Sequence, residues 1–280
     1  MIVWLASYPR SGNTFLRVVL SAVFGLDTYT LYDERPDIDP SLGDVPPLPP
    51  SGAEPVVGHP FDVARFAGRS QLHVLKTHGP PTDGRPAIYV VRDGREATAS
   101  YFHYHRDVLR KPVTVRDVIR GRVGFGSWGR HVAQWDPRHR PNTLLLRFEE
   151  LTANPIAQVE RIGAFLGVSP VLRRVPSFED LHRTAPNFFR SGRTDSWKTL
   201  MSDEDHALLW ELHGDEMRAF GYGGMPSVAG TALSSLLRRQ RRIAQRLSEA
   251  ARDVTDAGLV NARRIIASVS SPVAPPRRAA

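Results

Sequence analysis

The stretch from Ile2 to Arg17 constrains the fold of this chain more than any other. It reads IVWLASYPRSGNTFLR, an apolar run followed by a short polar loop and then an apolar segment with helical spacing. This order predicts a buried strand, a tight turn and the first turns of a helix. Such a helix directs backbone N–H groups and the positive end of its dipole at one point. The stretch therefore predicts a site for a phosphate-like anion.

The loop in this stretch differs from the standard P-loop, in which a Lys directly precedes the Ser or Thr. Here Asn13 precedes Thr14, and the cation, Arg10, comes earlier. The position of Arg10 on a strand–loop–helix turn, beside Ser11 and Gly12, favours an anion partner over a surface role. The missing Lys argues against ATP as that partner.

The composition sets limits on the class of protein. The chain has 280 residues, of which 41% are hydrophobic and 24% charged, as is usual for a soluble globular protein. The absence of cysteine excludes disulfides, thiolate metal sites and a Cys nucleophile. No apolar run approaches the roughly 20 residues of a membrane-spanning helix. Since the first predicted strand begins at residue 2, which leaves no room for a signal peptide, we expect a cytoplasmic protein.

The net charge of +8 is concentrated at the C-terminal end. Residues 226–280 contain ten Arg and no Lys, against three acidic residues. Apolar residues at helical spacing predict a basic amphipathic helix over 232–250, a second helix over 254–268 and a disordered end. This extension either packs on the preceding domain, 1–225, with its arginines in solvent, or contacts an anionic membrane surface or nucleic acid.

Apolar runs that alternate with helical patterns predict an α/β fold in which helices cover both faces of a parallel sheet. The predicted strands are 2–6, 71–76, 86–91 and 142–148. The predicted helices are 13–25, 61–68, 94–105, 114–120, 153–166 and 202–220, and the segment 121–135 passes from a glycine-rich loop into a further helix. Thr114 is the predicted cap of helix 114–120, and Ser202 with Asp205 resembles a capping box at the start of helix 202–220. Polar clusters at 7–14, 76–80 and 92–95 each follow a strand, so they converge on one edge of the sheet, where such folds bind ligands.

Three further side chains at this edge are candidates for chemistry. Lys76 and His78 are two residues apart on an extended segment, so both can face one side. A single His is more often structural, and its position alone does not make it catalytic. Arg92 follows a buried strand and is either an ion-pair partner or an anion ligand.

Six segments together resemble the PAPS-dependent sulfotransferase family, which uses 3′-phosphoadenylyl sulfate (PAPS) as its donor. In chain order they read SYPRSGNTFLR, LKTHGPP, VVRDGREATASYFHY, GFGSWGRHVAQW, LLLRFEEL and FRSGRTDSWK. The resemblance covers residues 1–222. It implies a three-layer, P-loop-like parallel sheet and an enzyme that transfers the sulfuryl group of PAPS to a hydroxyl (or amine) of a small acceptor.

The resemblance also implies which residues hold the donor. Its phosphosulfate maps to Arg10, Ser11, Gly12, Asn13 and Thr14. Its 3′-phosphate maps to Arg92, Ser100, Arg190, Ser191 and Gly192. Phe15 and Phe178 match the two aromatic residues beside the adenine. The family usually has Lys where Arg10 stands, Trp where Phe15 stands and often Lys where Ser191 stands.

The catalytic roles follow from the same resemblance, and the residue types suit them. His78 matches the general base that takes the proton of the acceptor, and a neutral imidazole near pH 7 can do so. Lys76 and Arg10 match the cations that stabilise charge on the leaving oxygen. The reaction is an in-line displacement through a loose transition state. The sulfuryl group carries less charge than a phosphoryl group, so we expect no metal ion.

Two other functions stay open. A P-loop kinase-like phosphotransferase would share the anion site, but it needs the missing Lys and an acidic Mg²⁺ ligand, for which Asp93 is the one candidate. A non-catalytic nucleotide-binding module would be expected to lack Lys76 or His78, and both are present. The predicted partners are PAPS and a hydroxylated acceptor, and for the basic extension a membrane surface is favoured over nucleic acid.

The acceptor pocket and the oligomeric state are less constrained. Eight prolines lie between residues 36 and 60, which predicts neither a helix nor a central strand there. We interpret 27–60 either as a surface loop or as a wall of the acceptor pocket. The other predicted walls of that pocket are the residues after Tyr101 and the loop 121–129, including Phe125 and Trp128. Animal cytosolic relatives dimerise through a KxxxTVxxxE motif, which the residues after Lys198 do not reproduce, so the oligomeric state stays open.

Overall fold

The computed structural model describes residues 1–30, 44–45, 71–171, 179 and 195–223. Within these ranges one six-stranded sheet has the order β3-β2-β4-β1-β5-β6, and all of its pairings are parallel. The strands are β1 (Ile2–Ser7), β2 (Thr28–Thr30), β3 (Asp44–Val45), β4 (His73–Thr77), β5 (Ala87–Val91) and β6 (Thr143–Arg147). The predicted parallel α/β fold is confirmed.

In the described part of the chain, helices follow strands β1, β5 and β6. They are α1 (Asn13–Phe24), α2 (Gly94–His103), α3 (Val115–Ile119), α4 (Trp128–Trp135), α5 (Phe148–Ala153), α6 (Pro155–Leu166), α7 (Ser196–Leu200) and α8 (Asp203–Ala219). A π-helical segment, Tyr104–Val108, continues α2. The predicted N-caps are confirmed, since Thr114 and Ser202 each form a capping box, with Asp117 and Asp205 respectively.

Strand β1 lies at the centre of the sheet, and all six of its residues are buried. Its alternate side chains enter two different apolar clusters because successive residues of a strand point to opposite faces. Trp4 packs in a cluster with residues of α2, α4 and α8, whereas Leu5 packs with residues of α1, α5 and α6. Helices therefore cover both faces of β1, which gives the three layers that the sequence predicts.

Strands β2 and β3 were not predicted, because they fall in the segment 27–60 that the sequence marks as a loop. Each is too short, at three and two residues, to show an alternating pattern. Pairing with β4 aligns Thr28 with Val74, so the partner strand determines β2. The buried Arg17 supports this arrangement, because its Nε donates to Thr28 Oγ1 over 2.7 Å. Burial lowers the pKa of Arg17 to about 10, so it stays charged at pH 7.

Two short helices, α5 and α7, were also missed, since neither exceeds six residues. The predicted helix 94–105 is α2 followed by the π-helical segment. The predicted helices 61–68, 232–250 and 254–268, and the proposed domain boundary after residue 225, lie outside the described residues. Among the helices of residues 1–30, 71–171 and 195–223, none is long and apolar enough to cross a membrane.

Candidate active site

The loop between β1 and α1, residues 8–12, reverses the chain within five residues. Arg10 and Gly12 both have a left-handed backbone, with φ of 66° and 102°. The backbone N–H of Ser11 donates to Tyr8 O over 3.2 Å and closes the turn. Helix α1 then begins at Asn13 with no side-chain cap and no acidic residue in its first turn. Its first N–H groups are therefore available to an anion, and the binding of an anion there stays a prediction.

Two buried polar atoms next to this turn need a hydrogen-bonding ligand. The hydroxyl of Ser11 and Oδ1 of Asn13 are buried, and neither has a partner among the described residues. The amide nitrogen of Asn13 is engaged, since it donates to Leu5 O over 3.2 Å and to Ser7 Oγ over 3.3 Å. Because buried polar groups are almost always hydrogen-bonded in native proteins, the Ser11 hydroxyl marks a position for a bound group.

The ring of Phe148, at the start of α5, packs directly against Gly12. A Cβ atom at Gly12 would lie 2.4 Å from Cδ2 of Phe148, so only glycine fits there. The guanidinium of Arg92 lies over the same ring, 4.5 Å from its centroid. Phe148 thus links the β1–α1 loop to Arg92, a contact that the sequence did not predict because 136 positions separate Phe148 from Gly12.

The predicted anion ligands Arg10, Arg92 and Ser100 come together at this edge of the sheet. Arg10 Nε donates to Ser100 Oγ over 3.2 Å, and its guanidinium lies 5.6 Å from the Tyr104 ring centroid. Arg92 Nη1 donates to the backbone carbonyl of Arg10 over 3.1 Å. Two guanidinium groups and a hydroxyl from β1–α1, β5–α2 and α2 therefore surround one place, which suits an anionic ligand.

Buried partners hold Arg92 in position. Its Nη2 lies 3.6 Å from the Glu96 carboxylate, which also accepts a 2.6 Å hydrogen bond from Ser196 Oγ. Trp128 Nε1 donates to Arg92 O over 3.1 Å. Burial lowers the pKa of Arg92, and the negative charge of Glu96 is the main opposing influence. Trp128 itself is 1% exposed and packs on Gly94, so it supports Arg92 and does not line the acceptor pocket as predicted.

The Asp93 carboxylate is already used within the fold. It accepts the backbone N–H of Arg95 over 2.9 Å, which caps α2, and it pairs with Arg95 Nη2 at 2.5 Å. No group of three or more His, Cys, Asp or Glu residues in the described ranges is arranged to hold a metal ion. The one Mg²⁺ ligand that the sequence offered to a kinase therefore has another, structural role.

His78 follows β4 and reaches the end of β1. Its Nδ1 lies 2.7 Å from Ser7 O. A carbonyl oxygen can only accept, so Nδ1 carries the proton of the neutral ring and Nε2 carries the lone pair. Burial lowers the pKa of His78 well below 6.5, and the positive charge of Lys76 lowers it further. The structure therefore holds a neutral imidazole whose basic nitrogen is Nε2. Phe125, a predicted pocket residue, packs edge-on against this ring at 5.5 Å.

Helix α4 holds the backbone after β4 through two residues that sequence reasoning did not single out. His131 Nε2 lies 3.1 Å from His78 O, and Trp135 Nε1 donates to Gly79 O over 2.8 Å. The spacing of four residues puts both side chains on one face of the helix, and this was the one available signal. Tyr89 Oη is 2.8 Å from His131 Nδ1.

The remaining predicted ligands are less directly placed. Thr14 is 9% exposed in the first turn of α1. Phe15 is 6% exposed and belongs to the apolar cluster that contains Leu5. Its contact with an adenine stays a prediction. The other four predicted ligands lie outside the described residues: Phe178, Arg190, Ser191 and Gly192.

Comparison with known proteins identifies the family of this chain. A sulfotransferase domain family model matches residues 2–221. Sulfotransferase 4A1 of Mus musculus is 28% identical over 188 residues, and the match covers 60% of this chain and 60% of that protein. The chain thus matches less than two thirds of the length of this relative.

Two solved structures share the fold. A mouse sulfotransferase, SULT7A1, in complex with PAP superposes with a TM-score of 0.59 at 21% identity, over 78% of this chain and 84% of the other. Retinol dehydratase in complex with retinol and PAP superposes with a TM-score of 0.56 at 21% identity, over 78% and 81%. Together with the family match across nearly all of residues 1–222, these likenesses show that the chain belongs to the sulfotransferase family.

Proposed function

We propose that this protein transfers the sulfuryl group of PAPS to a hydroxyl (or amine) of a small acceptor, with His78 as the general base. The observation that carries the proposal is the tautomer of His78. Its Nδ1–H is bound to Ser7 O, so the nitrogen with the lone pair is Nε2, and burial beside Lys76 keeps the ring neutral. Family membership, and the PAP bound in two structures of the same fold, support PAPS as donor.

The donor half of the site is built on the β1–α1 loop. The backbone N–H groups at the start of α1 and the Ser11 hydroxyl bind the phosphosulfate, together with Arg10. Arg92 and Ser100 bind the 3′-phosphate, and the hydrogen bond between Arg10 and Ser100 already joins the two groups of ligands. The complete proposed set of donor ligands is Arg10, Ser11, Gly12, Asn13, Thr14, Phe15, Arg92, Ser100, Phe178, Arg190, Ser191 and Gly192.

In the proposed transfer step, the acceptor oxygen attacks sulfur in line with the bridging oxygen of the donor. The bond from sulfur to the bridging oxygen breaks as the new sulfur–oxygen bond forms, and the acceptor proton moves to His78 Nε2. Arg10 and Lys76 stabilise the negative charge that develops on the leaving oxygen. The products are the sulfated acceptor and adenosine 3′,5′-bisphosphate (PAP). No step requires a metal ion.

Specific contacts argue against a kinase-like phosphotransferase. The carboxylate that a Mg²⁺ ion would need, that of Asp93, caps α2 and pairs with Arg95. A non-catalytic binding module has no use for a half-buried, neutral His78 with a fixed tautomer beside Lys76. Both contrasts favour sulfuryl transfer.

The test compares wild type with His78→Ala and with His139→Ala, an exposed histidine on the turn after α4. Sulfuryl transfer from labelled PAPS to a panel of hydroxylated acceptors is measured with EDTA present, and PAP binding by calorimetry. His78→Ala should lose transfer and keep PAP affinity, whereas His139→Ala should keep both. Near-normal transfer by His78→Ala, or binding of Mg·ATP in place of PAP, would contradict the proposal.

Acceptor identity and the role of residues 226–280 require separate experiments. One related structure contains retinol, which carries a hydroxyl, and this favours a panel of apolar alcohols and phenols. Contact of the basic extension with anionic membranes is tested by liposome binding of the whole chain and of a variant that ends at residue 225. Equal binding and equal activity of the two would exclude that role.

A further inference from the structure

His131 of α4 and Tyr89 of β5 form a hydrogen-bonded chain that ends on the backbone of His78. The carbonyl of His78 can only accept, so His131 Nε2 must carry a proton and donate over 3.1 Å. The other ring nitrogen, Nδ1, then has the lone pair and accepts from Tyr89 Oη over 2.8 Å. The carbonyl of His78 therefore requires this neutral tautomer of His131, and Tyr89 donates to the lone pair of its Nδ1.

The two side chains are fixed by their surroundings. Tyr89 is fully buried and His131 is 2% exposed. The Tyr89 ring lies 5.8 Å from the His131 ring and 5.7 Å from that of Trp135, and Tyr8 packs on His131 at 5.8 Å. Tightly packed aromatic rings have few alternative rotamers, so the donor nitrogen of His131 has one position.

The hydrogen bonds from Tyr89 through His131 hold the backbone of His78, the proposed base. The imidazole of His78 is held at Nδ1 by Ser7 O, and its backbone carbonyl is held by His131. Trp135 holds the next carbonyl, that of Gly79. Strand β4 ends at Thr77, and directly after it side chains of α4 bind these two carbonyls.

We propose that His131, held at Nδ1 by Tyr89, is a positioning residue that aims Nε2 of His78 at the acceptor hydroxyl. This inference rests on the proposed role of His78 as general base. His131 does not touch the reacting atoms. Without its N–H, the peptide of His78 loses this hydrogen bond at the end of β4, while the donor site, on β1–α1 and α2, keeps its ligands.

The expected signature is a loss in kcat that leaves donor binding unchanged. An error of about 1 Å in the position of a catalytic group costs up to about 100-fold in rate, so His131→Phe should lower kcat by about 10- to 100-fold. Its dissociation constant for PAP should stay within about twofold of wild type. His131→Gln retains an N–H donor of similar reach and should recover most of kcat.

Tyr89→Phe gives an independent test that preserves packing. It removes a single oxygen, so the ring stays in the core, but the lone pair of His131 Nδ1 loses its donor and the imidazole is held less firmly against His78 O. We expect a loss in kcat smaller than that of His131→Phe, again with unchanged PAP binding. His213 provides the matched control, because it is also buried and its Nε2 binds a backbone carbonyl, that of Ile119. His213→Phe should destabilise the fold without changing kcat.

All variants are compared at a temperature where circular dichroism shows them folded, with His78→Ala in the same series. The proposal is overturned if both His131→Phe and Tyr89→Phe keep wild-type kcat, or if His213→Phe lowers kcat as much as His131→Phe does. If either of these results is found and His78→Ala is inactive, the positioning role of His131 is refuted and the general-base role of His78 stands. If His78→Ala is active, the general-base role itself is refuted.

Discussion

Arg10 and Ser100 are joined by a 3.2 Å hydrogen bond from Nε to Oγ across 90 positions of the sequence. The bond connects the β1–α1 loop to the middle of α2. Arg10, the cation proposed for the phosphosulfate, thus contacts Ser100, a proposed ligand of the 3′-phosphate. One donor molecule can therefore engage both ends of this contact.

Arg10 supplies the first prediction. Arg10→Ala should lower kcat by about 10²- to 10³-fold, because it removes a fixed positive charge from the place where the leaving oxygen becomes negative. Arg10→Lys should retain more activity, since an ammonium keeps the charge but not the planar fork. Steady-state kinetics with saturating PAPS measures both. Arg130→Ala, at an exposed position of α4, serves as control, and equal rates for Arg10→Ala and this control would refute the role.

Gly12 supplies the second prediction. Gly12→Ala should lower the free energy of unfolding and weaken PAP binding, because alanine at φ 102° costs about 1–3 kcal/mol and its Cβ would meet the Phe148 ring. Adding Phe148→Ala should relieve the clash but not the backbone strain. The double variant should therefore lose less free energy of unfolding than the two single variants lose together. Gly126→Ala, with φ 72° and open space around it, isolates the strain. Strictly additive effects of Gly12→Ala and Phe148→Ala would contradict the contact.

The third prediction concerns the pH dependence of turnover. The base must be neutral, and burial followed by the charge of Lys76 holds the pKa of His78 well below 6.5. The rate constant kcat/KM should therefore stay level as the pH falls from 7.5 to 6.5 and decline only at lower pH. Lys76→Met removes one cause of the shift, so the decline in its normalised profile should begin at higher pH. An unchanged or lower midpoint in Lys76→Met would disprove this coupling.

The fourth prediction concerns stability and His131. Burial lowers the pKa of His131 from 6.5 to about 4. Below pH 6.5 the unfolded chain therefore binds a proton that the folded protein does not. The contribution of His131 to the free energy of unfolding is therefore complete above pH 6.5 and decreases as the pH falls from 6.5 to 4. Below pH 4 the free energy of unfolding is lower by about 3 kcal/mol because of this residue.

Urea unfolding at a series of pH values measures this loss. His131→Gln carries no titrating group, so its free energy of unfolding should depend less on pH between 6.5 and 4 than that of wild type. His139→Gln, at an exposed position, should keep the wild-type dependence. Parallel curves for wild type and His131→Gln would show that His131 is not neutral in the folded state.

Much of the fold could be predicted because its signals are local. Continuous apolar runs predicted β1, β4, β5 and β6, and helical spacing with caps such as Thr114 predicted α3. Strands β2 and β3 were not predicted, because they are too short to show an alternating pattern and are formed by pairing with neighbouring strands. The convergence of the clusters at 7–14, 76–80 and 92–95 on one sheet edge followed from the parallel topology alone.

Local patterns in the sequence specify the strand–loop–helix turn, the chemical type of each side chain and the sheet edge at which Arg10, His78 and Arg92 meet. How these groups are held in place depends on the packing of the folded chain. The tautomer of His78 depends on Ser7 O, 71 positions away, and its backbone depends on His131, 53 positions away. The fit of Gly12 depends on Phe148. Such contacts are set by which strands and helices pack together, and no short stretch of sequence contains that information.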